Sequence, residues 1–176
     1  AGDLTGAAVE IGRSPLRNAK GQFVAGAKQL SMRERFAVWR STRAVKSAAL
    51  KGARQRSKLG SIDGTADALN ALTVLEANGK LGLVGRWQKE RATKHAFSNT
   101  RKNASNALKS GDLEAAGQNF AFATELRSGR ATKSMAKDLV KESFQMAAAY
   151  AKGGDSQLTW NVLEMAAAIA QEGGAK

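Results

Sequence analysis

The sequence contains no cysteine, a single proline and a single histidine, His95, among its 176 residues. Without cysteine the chain cannot form a disulfide framework, a thiolate zinc site or a cysteine nucleophile. One imidazole cannot build a metal centre, and no HExxH motif supplies further ligands. We therefore expect His95 to be an exposed or phosphate-adjacent residue rather than a catalytic base.

Long apolar segments are also missing. The longest uncharged stretch, residues 115–124, has 10 residues, whereas a helix needs about 20 to cross a bilayer. The first thirty residues contain no apolar run long enough for a signal-peptide core. We therefore expect a soluble, cytosolic product with no transmembrane segment.

Motifs for catalysis or nucleotide binding are absent as well. Residues 79–85 carry a glycine at every third position, but they lack the Gly-Lys-Ser/Thr of a P-loop and do not follow a strand. The carboxylates stand singly beside basic residues, as in Asp138, Lys141 and Glu142, which is typical of solvated helix faces. The sequence thus predicts a non-enzymatic protein without a metal or cofactor.

Positive charge is what the chain has in excess: 28 Lys and Arg against 15 Asp and Glu give a net charge of +13. Residues 11–60 carry +12 and residues 81–109 carry +6, whereas residues 110–176 sum to −1. Such concentrated charge favours a polyanionic partner, nucleic acid first and an anionic membrane second. We predict an extended basic arm over residues 1–30, a basic helical region over 31–109 and near-neutral, alanine-rich helical hairpins for packing or assembly over 110–176.

The arm is predicted from its turn-forming residues. Pro15 and five glycines interrupt the first thirty residues, which show no sustained helical period. Segments of this composition cannot bury enough apolar area to order themselves. We therefore expect an extended chain that is ordered by a partner or by neighbouring subunits.

A long helix is predicted to follow the arm. Ser31 and Glu34 form a capping box, and Gly60 is a plausible stop. At 100° per residue, an apolar seam falls within a sector about 60° wide; it consists of Met32, Phe36, Trp39 and Leu50. An adjoining sector about 80° wide holds six cations, which we call the basic ridge: Arg33, Arg40, Arg43, Lys51, Arg54 and Lys58. The spacing of Phe36, Trp39 and the later Trp87 favours core positions over exposed platforms for stacking on bases.

The basic ridge favours nucleic-acid contact over a merely solvated face. Between residues 31 and 58, nine basic side chains accompany one acid, so the i,i+4 ion pairs that usually flank exposed lysines are missing. Repulsion of this size destabilises the free protein unless a polyanion neutralises it. The predicted nucleic-acid-binding residues extend over the arm and two helices: Arg13, Arg17, Lys20, Lys28, Arg33, Arg40, Arg43, Lys51, Arg54, Lys58, Arg86, Lys89, Arg101 and Lys102.

Further helices are predicted in the remaining chain. Their predicted ranges are 65–77, 83–109, 112–126, 131–152 and 156–171. The inward candidates are Leu69, Leu72 and Leu75, followed by Trp87, Phe97, Ala104 and Leu108. β-Branched residues are sparse and nothing alternates over more than a few positions, so no strand is expected and the fold class is all-α.

The last two predicted helices share a local repeat. Residues 144–151 match residues 163–170 at an offset of 19. Alanine-rich faces of this kind allow two helices to pack closely as an antiparallel hairpin. The alternative is convergent low complexity in two alanine-rich helices.

A segment centred on Gly111 resembles the helix-turn-helix centre of a tetratricopeptide repeat. It reads Leu108-Lys109-Ser110-Gly111-Asp112-Leu113 and is followed by Ala116, Phe120 and Ala123. In that repeat the glycine makes the turn, the alanine allows close helix contact and the aromatic ring fills the hairpin. The closing proline is absent, with Ser128 near its place, and no regular repeat period follows. The resemblance therefore implies a tight helical hairpin over residues 108–126 and not a peptide-binding solenoid.

The arm contains Arg17-Asn18-Ala19-Lys20-Gly21-Gln22-Phe23, which resembles the R-x-x-K-G-x-F segments near the starts of bacteriophage-encoded proteins. A basic, alanine-rich, cysteine-free helical chain with such an arm is similar in kind to the internal and DNA-ejection proteins of tailed phages. The resemblance implies a structural virion protein. Its basic half would associate with DNA regardless of sequence, and its C-terminal half with other virion proteins or, as a homo-oligomer, with itself.

Two other functions fit the same features. One is a ribosome-associated or nucleoid protein that coats RNA or DNA, since a basic arm on a helical body suits either polyanion. The other is a helical adaptor that binds acidic proteins or anionic lipid through the basic ridge. Competition between nucleic acids and vesicles separates these alternatives.

Overall fold

The structure is a computed structural model that describes residues 3–13 and 32–174, apart from the side chains of residues 12, 13, 34 and 35. Within these residues the chain forms seven helices and no strand. They are α1 (Leu4–Arg13), α2 (Met32–Lys58), α3 (Ile62–Ala77), α4 (Gly82–Lys109), α5 (Leu113–Leu126), α6 (Arg130–Lys152) and α7 (Ser156–Gly173). The predicted all-α fold is confirmed.

The predicted helices lie close to where the periodicity places them. Gly60 ends α2 with φ 75°, as expected for a stop signal. Asp112 caps α5 by accepting a hydrogen bond from the Ala115 amide at 3.0 Å. Ser31 lies outside the described residues, and so does the side chain of Glu34, so the capping box is not seen.

The chain divides into two compact units, residues 1–96 and residues 97–176. Helix α4 contributes its first part to the first unit and the remainder to the second. The division differs from the boundary between residues 109 and 110 that charge suggested. Charge changes at the end of α4, whereas the buried apolar residues of the second unit already begin at Phe97.

In the first unit, α1, α2 and α3 pack on one another. α3 supplies the large buried side chains, Leu69, Leu72 and Leu75, as predicted. The fully buried residues of α2 are small: Ala49, Ala53 and Ser57. Small side chains at every fourth position allow close packing of α2 on its neighbours, without the large apolar residues of its seam.

The prediction of an extended chain over residues 1–30 is wrong for residues 4–13, which form α1. Two carboxylates satisfy the first amides of this helix: Asp3 accepts from Gly6 at 2.6 Å, and Asp67 of α3 accepts from Thr5 at 3.0 Å. Ala8 and Ile11 are buried, so tertiary packing overrides the glycines that suggested a loop. Residues 14–30 of the predicted arm lie outside the described residues.

Asp67 of α3 connects α1 to the rest of its unit. Its carboxylate accepts hydrogen bonds from the amide and hydroxyl of Thr5, and Arg56 Nη1 lies 3.3 Å from it. Burial alone would raise the pKa of Asp67, but the hydrogen bonds from Thr5, Leu4 and Arg56 outweigh it and hold that pKa below its ordinary value. At the other end of α1, the Lys80 ammonium donates a hydrogen bond to the Ile11 carbonyl.

We expect Asp67→Asn to lower the free energy of unfolding at neutral pH by about 1–3 kcal/mol, because it removes the negative charge that accepts hydrogen bonds from Thr5, Leu4 and Arg56. Since the folded pKa is depressed, the stabilisation is present above the ordinary value of 3.8. It is lost as pH falls through the lower folded value. Urea unfolding at a series of pH values measures this: the gap between wild type and variant should narrow on acidification. A gap that stays constant at low pH would contradict this role of Asp67.

In the second unit, a continuous apolar core joins the last part of α4 to α5, α6 and α7. Phe97, Ala104 and Leu108 of α4 are buried in it, as predicted. The residues that resemble the tetratricopeptide centre also lie in this core: Ala116, Phe120 and Ala123. Gly111, at the turn between α4 and α5, has φ 80°, a conformation that favours glycine.

Helices α6 and α7 pack closely as an antiparallel pair joined by three residues. Gly173 near the end of α7 lies against Ala136 near the start of α6, and a Cβ at residue 173 would come within 2.2 Å of the Ala136 Cβ. The buried alanines Ala147 and Ala166 fall within the repeated segments. The structure therefore supports close packing of the two alanine-rich helices.

Adding one methyl group at this contact tests the packing. We expect Gly173→Ala to destabilise the protein by about 1–3 kcal/mol, because the added Cβ would overlap the Cβ of Ala136, which lies in the core of the unit. Gly117→Ala is the matched control: Gly117 lies in α5 with open space around its would-be Cβ, so it should gain about 0.5–1 kcal/mol from helix propensity. Thermal or urea unfolding of both variants gives the comparison. Equal effects would show that α6 and α7 are not in close contact at residue 173.

None of the described helices is long and apolar enough to cross a membrane.

Candidate nucleic-acid interface

The first half of α2 lies at the surface of its unit. From Met32 to Ala48, none of the side chains that the structure describes is buried, and burial begins at Ala49. This part of the helix is therefore not held by an apolar core. Its sequence is strongly basic, which keeps it hydrated and available for a partner.

All six residues of the basic ridge are exposed. Within the described part of the chain, none of the six forms an ion pair with a carboxylate. From Arg33 to Lys58 the ridge extends about 38 Å along the helix at 1.5 Å per residue. It therefore presents an elongated cationic surface whose charge the fold does not neutralise.

Two aromatic rings lie on the same exposed side of α2. Phe36 and Trp39 are 54% and 53% exposed, and their rings stack with centroids 5.5 Å apart at an angle of 28°. The guanidinium of Arg40 lies 5.1 Å from the Phe36 centroid, and that of Arg43 lies 5.5 Å from the Trp39 centroid. We call Phe36 and Trp39 the aromatic pair.

The prediction that Phe36 and Trp39 of the apolar seam occupy core positions is wrong. Met32 is exposed together with the aromatic pair, and only Leu50 is half-buried. The core of the unit uses the strip of small residues Ala49, Ala53 and Ser57 instead. The spacing of four residues between these small side chains indicates the packing face of α2. The apolar seam is more hydrophobic and therefore suggested a different face.

The prediction that Trp87 of α4 occupies a core position is also wrong. Trp87 is 60% exposed, and the Arg91 guanidinium lies 5.5 Å from its ring centroid. The buried residues at this end of α4 are Gly85 and, just before the helix, Leu81. Trp87 therefore forms a further exposed aromatic–arginine contact and is not a core residue.

Two of the predicted binding residues in α4 form ion pairs with a carboxylate of α3. Arg86 Nε and Lys89 Nζ lie 3.4 and 2.7 Å from the two carboxylate oxygens of Glu76. The hydrogen bond from Lys89, aided by the charges of Lys89 and Arg86, outweighs burial and lowers the pKa of Glu76. Both cations thus connect α4 to α3, which leaves them less available to phosphate than the ridge.

The other predicted residues fall into two groups. The side chain of Arg13, and the whole of Arg17, Lys20 and Lys28, lie outside the described residues. Arg101 pairs with Asp138 of α6, whereas Lys102 is exposed. The structure thus places six of the fourteen predicted residues, the ridge cations, along one exposed side of α2.

An open groove between α4 and α6 in the second unit has a volume of about 670 Å³. Its charged lining combines both signs: Arg101, Lys102, Lys109 and Lys141 with Asp138 and Glu142. No group of three His, Cys, Asp or Glu side chains that could hold a metal ion is found among the described residues. His95 is exposed. The groove offers hydrogen-bonding and charged groups, and its carboxylates are used in ion pairs to α4.

Comparison with known proteins finds no family model, no curated protein and no solved structure that matches this chain. The function has to be argued from the surfaces themselves.

Proposed function

We propose that this chain is a non-enzymatic protein that binds nucleic acid without sequence preference, and that α2 is its principal contact. The observation that carries the proposal is the exposed basic ridge, unpaired within the described residues, with the aromatic pair beside it. Phosphates are the natural partners of such an array, because each contact releases a counterion and relieves repulsion within the helix. A ridge of six cations gives a slope of log K against log salt of about −5.

The aromatic pair adds a preference for exposed bases. Every base has a π-face, so stacking on Phe36 or Trp39 is independent of sequence, and each stacked base is worth about 1–3 kcal/mol. Duplex DNA hides these faces within its stack. We therefore expect single-stranded segments or loops to bind more tightly than a duplex of the same length.

We further propose a structural role in a phage virion, associated with DNA and with other virion subunits. The support is the resemblance of residues 17–23 and the division into a strongly basic α2 and a second, helix-packed unit. This role requires assembly. A chain that stays monomeric both alone and on DNA in light scattering would contradict it.

Anionic lipid is a second candidate partner, because Met32 and the aromatic pair are exposed beside arginines along one helix. A helix with that arrangement can lie in the interface of an anionic bilayer. Flotation with vesicles that contain phosphatidylserine tests this directly. Binding to vesicles without retention of nucleic acid would replace the nucleic-acid proposal.

Competition binding decides among the polyanions. A labelled single-stranded DNA is displaced by unlabelled duplex DNA, structured RNA or phosphatidylserine vesicles, each at matched phosphate concentration. Displacement by nucleic acids but not by vesicles supports the proposal. A clear preference for structured RNA over every DNA would instead favour a ribosome-associated or RNA-coating protein.

A further inference from the structure

Among the helices α5, α6 and α7, the basic residues are all on α6. α6 contains five Lys or Arg residues and two carboxylates, whereas α5 and α7 contain carboxylates but neither Lys nor Arg. The sum of −1 over residues 110–176 therefore conceals a helix of net positive charge between two acidic ones. Around α6, the two carboxylates also lie in a different sector from four of the five cations.

Both carboxylates of α6 are held by α4. Asp138 pairs with Arg101, and Glu142 lies 3.6 Å from Lys109 Nζ. Ser105 Oγ donates a further hydrogen bond to Glu142 at 2.7 Å. These contacts place the negative charge of α6 on its α4-facing side, where it is paired with cations of α4.

The cations occupy the exposed side. Four of them fall, with Phe144, in a sector about 80° wide at 100° per residue. We call this set the α6 strip: Arg130, Lys133, Lys137, Lys141 and Phe144. All five side chains are exposed, and none of the four cations has an ion-pair partner among the described carboxylates. Lys141 also borders the groove.

The spacing of the strip suits an extended polyanion. Lys133, Lys137 and Lys141 follow one another at every fourth residue, about 6 Å apart along the axis. Like charges at this spacing repel and destabilise the free helix. Phe144 places an apolar ring at the end of the row, as the aromatic pair does beside the ridge on α2.

We propose that the α6 strip is a second nucleic-acid contact, which binds the phosphate backbone. The inference rests on the function proposed for α2 and extends it to a unit whose total charge is near neutral. Nucleic acid is favoured over a second copy of the chain as the occupant of the strip, because a phosphate backbone is anionic throughout whereas a second copy carries a net charge of +13.

The test is a triple neutralisation in the full-length chain: Lys133→Gln, Lys137→Gln and Lys141→Gln. Binding to a labelled single-stranded DNA and to a short duplex of mixed sequence is measured over a range of salt. We expect the salt slope to become shallower by about 3, and the affinity at roughly 0.1 M salt to fall about 10- to 100-fold. The triple Lys→Arg variant keeps the charge and should bind as wild type does.

A matched control changes the total charge by the same amount elsewhere. Asn70→Glu, Gln118→Glu and Gln157→Glu each add one negative charge at an exposed position on α3, α5 or α7. This control should retain its salt slope and bind within about threefold of wild type, since distant charges are screened. Equal losses in the α6 variant and the control would overturn the inference, because total charge alone would then explain both.

The outcomes separate this inference from the proposed function. If the α6 variant binds as wild type while neutralisation of the α2 ridge removes binding, α2 remains the contact and the α6 strip is excluded. If the wild-type chain binds no nucleic acid at low salt, both proposals fail. If loss at α6 is seen only for an acidic protein ligand and not for nucleic acid, the strip is a protein-binding surface and the inference is wrong.

Discussion

Charge reversal on α2, by Arg40→Glu, Arg43→Glu, Lys51→Glu and Arg54→Glu together, is expected to abolish measurable nucleic-acid binding. Four attractive phosphate contacts become repulsive ones, so the affinity at roughly 0.1 M salt should fall about a thousandfold or more. The four side chains are exposed, and glutamate is a good helix former. Helicity by circular dichroism should therefore stay unchanged.

The control for this variant keeps the charge and changes only the side chains. Arg40→Lys, Arg43→Lys, Lys51→Arg and Arg54→Lys together should bind within a few-fold of wild type, with a modest loss from the weaker contacts of lysine with the aromatic rings. Binding that survives charge reversal would show that the basic ridge is not the interface. A parallel loss of helicity would attribute the effect to unfolding.

Removal of the aromatic pair, by Phe36→Ala and Trp39→Ala, is expected to weaken binding to single-stranded DNA by about 10- to 100-fold, because each base stacked on an aromatic side chain contributes about 1–3 kcal/mol. Duplex binding should change far less, since its bases are already stacked on one another. The salt slope should remain as in wild type, because no phosphate contact is removed. Fluorescence anisotropy with both ligands measures the difference.

Trp160→Ala provides the matched control for the aromatic pair. Trp160 is also exposed, but it lies on α7, which contains no Lys or Arg. Its removal should leave both affinities unchanged. The aromatic pair is exposed in the same way, so its loss should change the free energy of unfolding by only about 0.5–1 kcal/mol. A large loss of stability would instead indicate that Phe36 and Trp39 are structural.

Much of the helical fold could be predicted from the sequence, because its signals are local. Gly60 and Gly111 mark the ends of helices through positive φ angles, and Asp112 caps the start of α5. Helical spacing predicts that Leu72 faces inward, and the resemblance to a tetratricopeptide centre implies that Phe120 fills the hairpin; both are buried. Capping residues and helical periodicity depend on neighbours within a few positions, so a single sequence reveals them.

What could not be predicted depends on contacts between distant residues. The first helix, α1, requires the carboxylate of Asp67, which lies more than sixty positions along the chain from Leu4 and Thr5. The packing face of α2 was misjudged because hydrophobicity favoured Phe36 and Trp39 over small residues such as Ala49. A short alanine side chain packs best where helices approach closely, and that approach is decided by the whole unit.

The candidate interface, like the fold, could be predicted from the sequence only in part. The exposure of the basic ridge follows from its charge, and the sequence predicted its six residues directly. The sequence did not reveal which cations are already paired: Lys89 with Glu76, and Arg101 with Asp138. Summing charge over residues 110–176 also concealed the basic helix α6, because the carboxylates of α5 and α7 offset its cations in the sum.

The measurement that tests the central claim most directly is a salt titration of binding by the wild-type chain to two DNAs of unrelated sequence, with the oligomeric state read by light scattering in the same samples. We predict equal affinities for the two sequences and a slope of log K against log salt of about −5 or steeper. A flat salt dependence, a strong preference for one sequence or no binding at low salt would contradict a phosphate-binding ridge on α2.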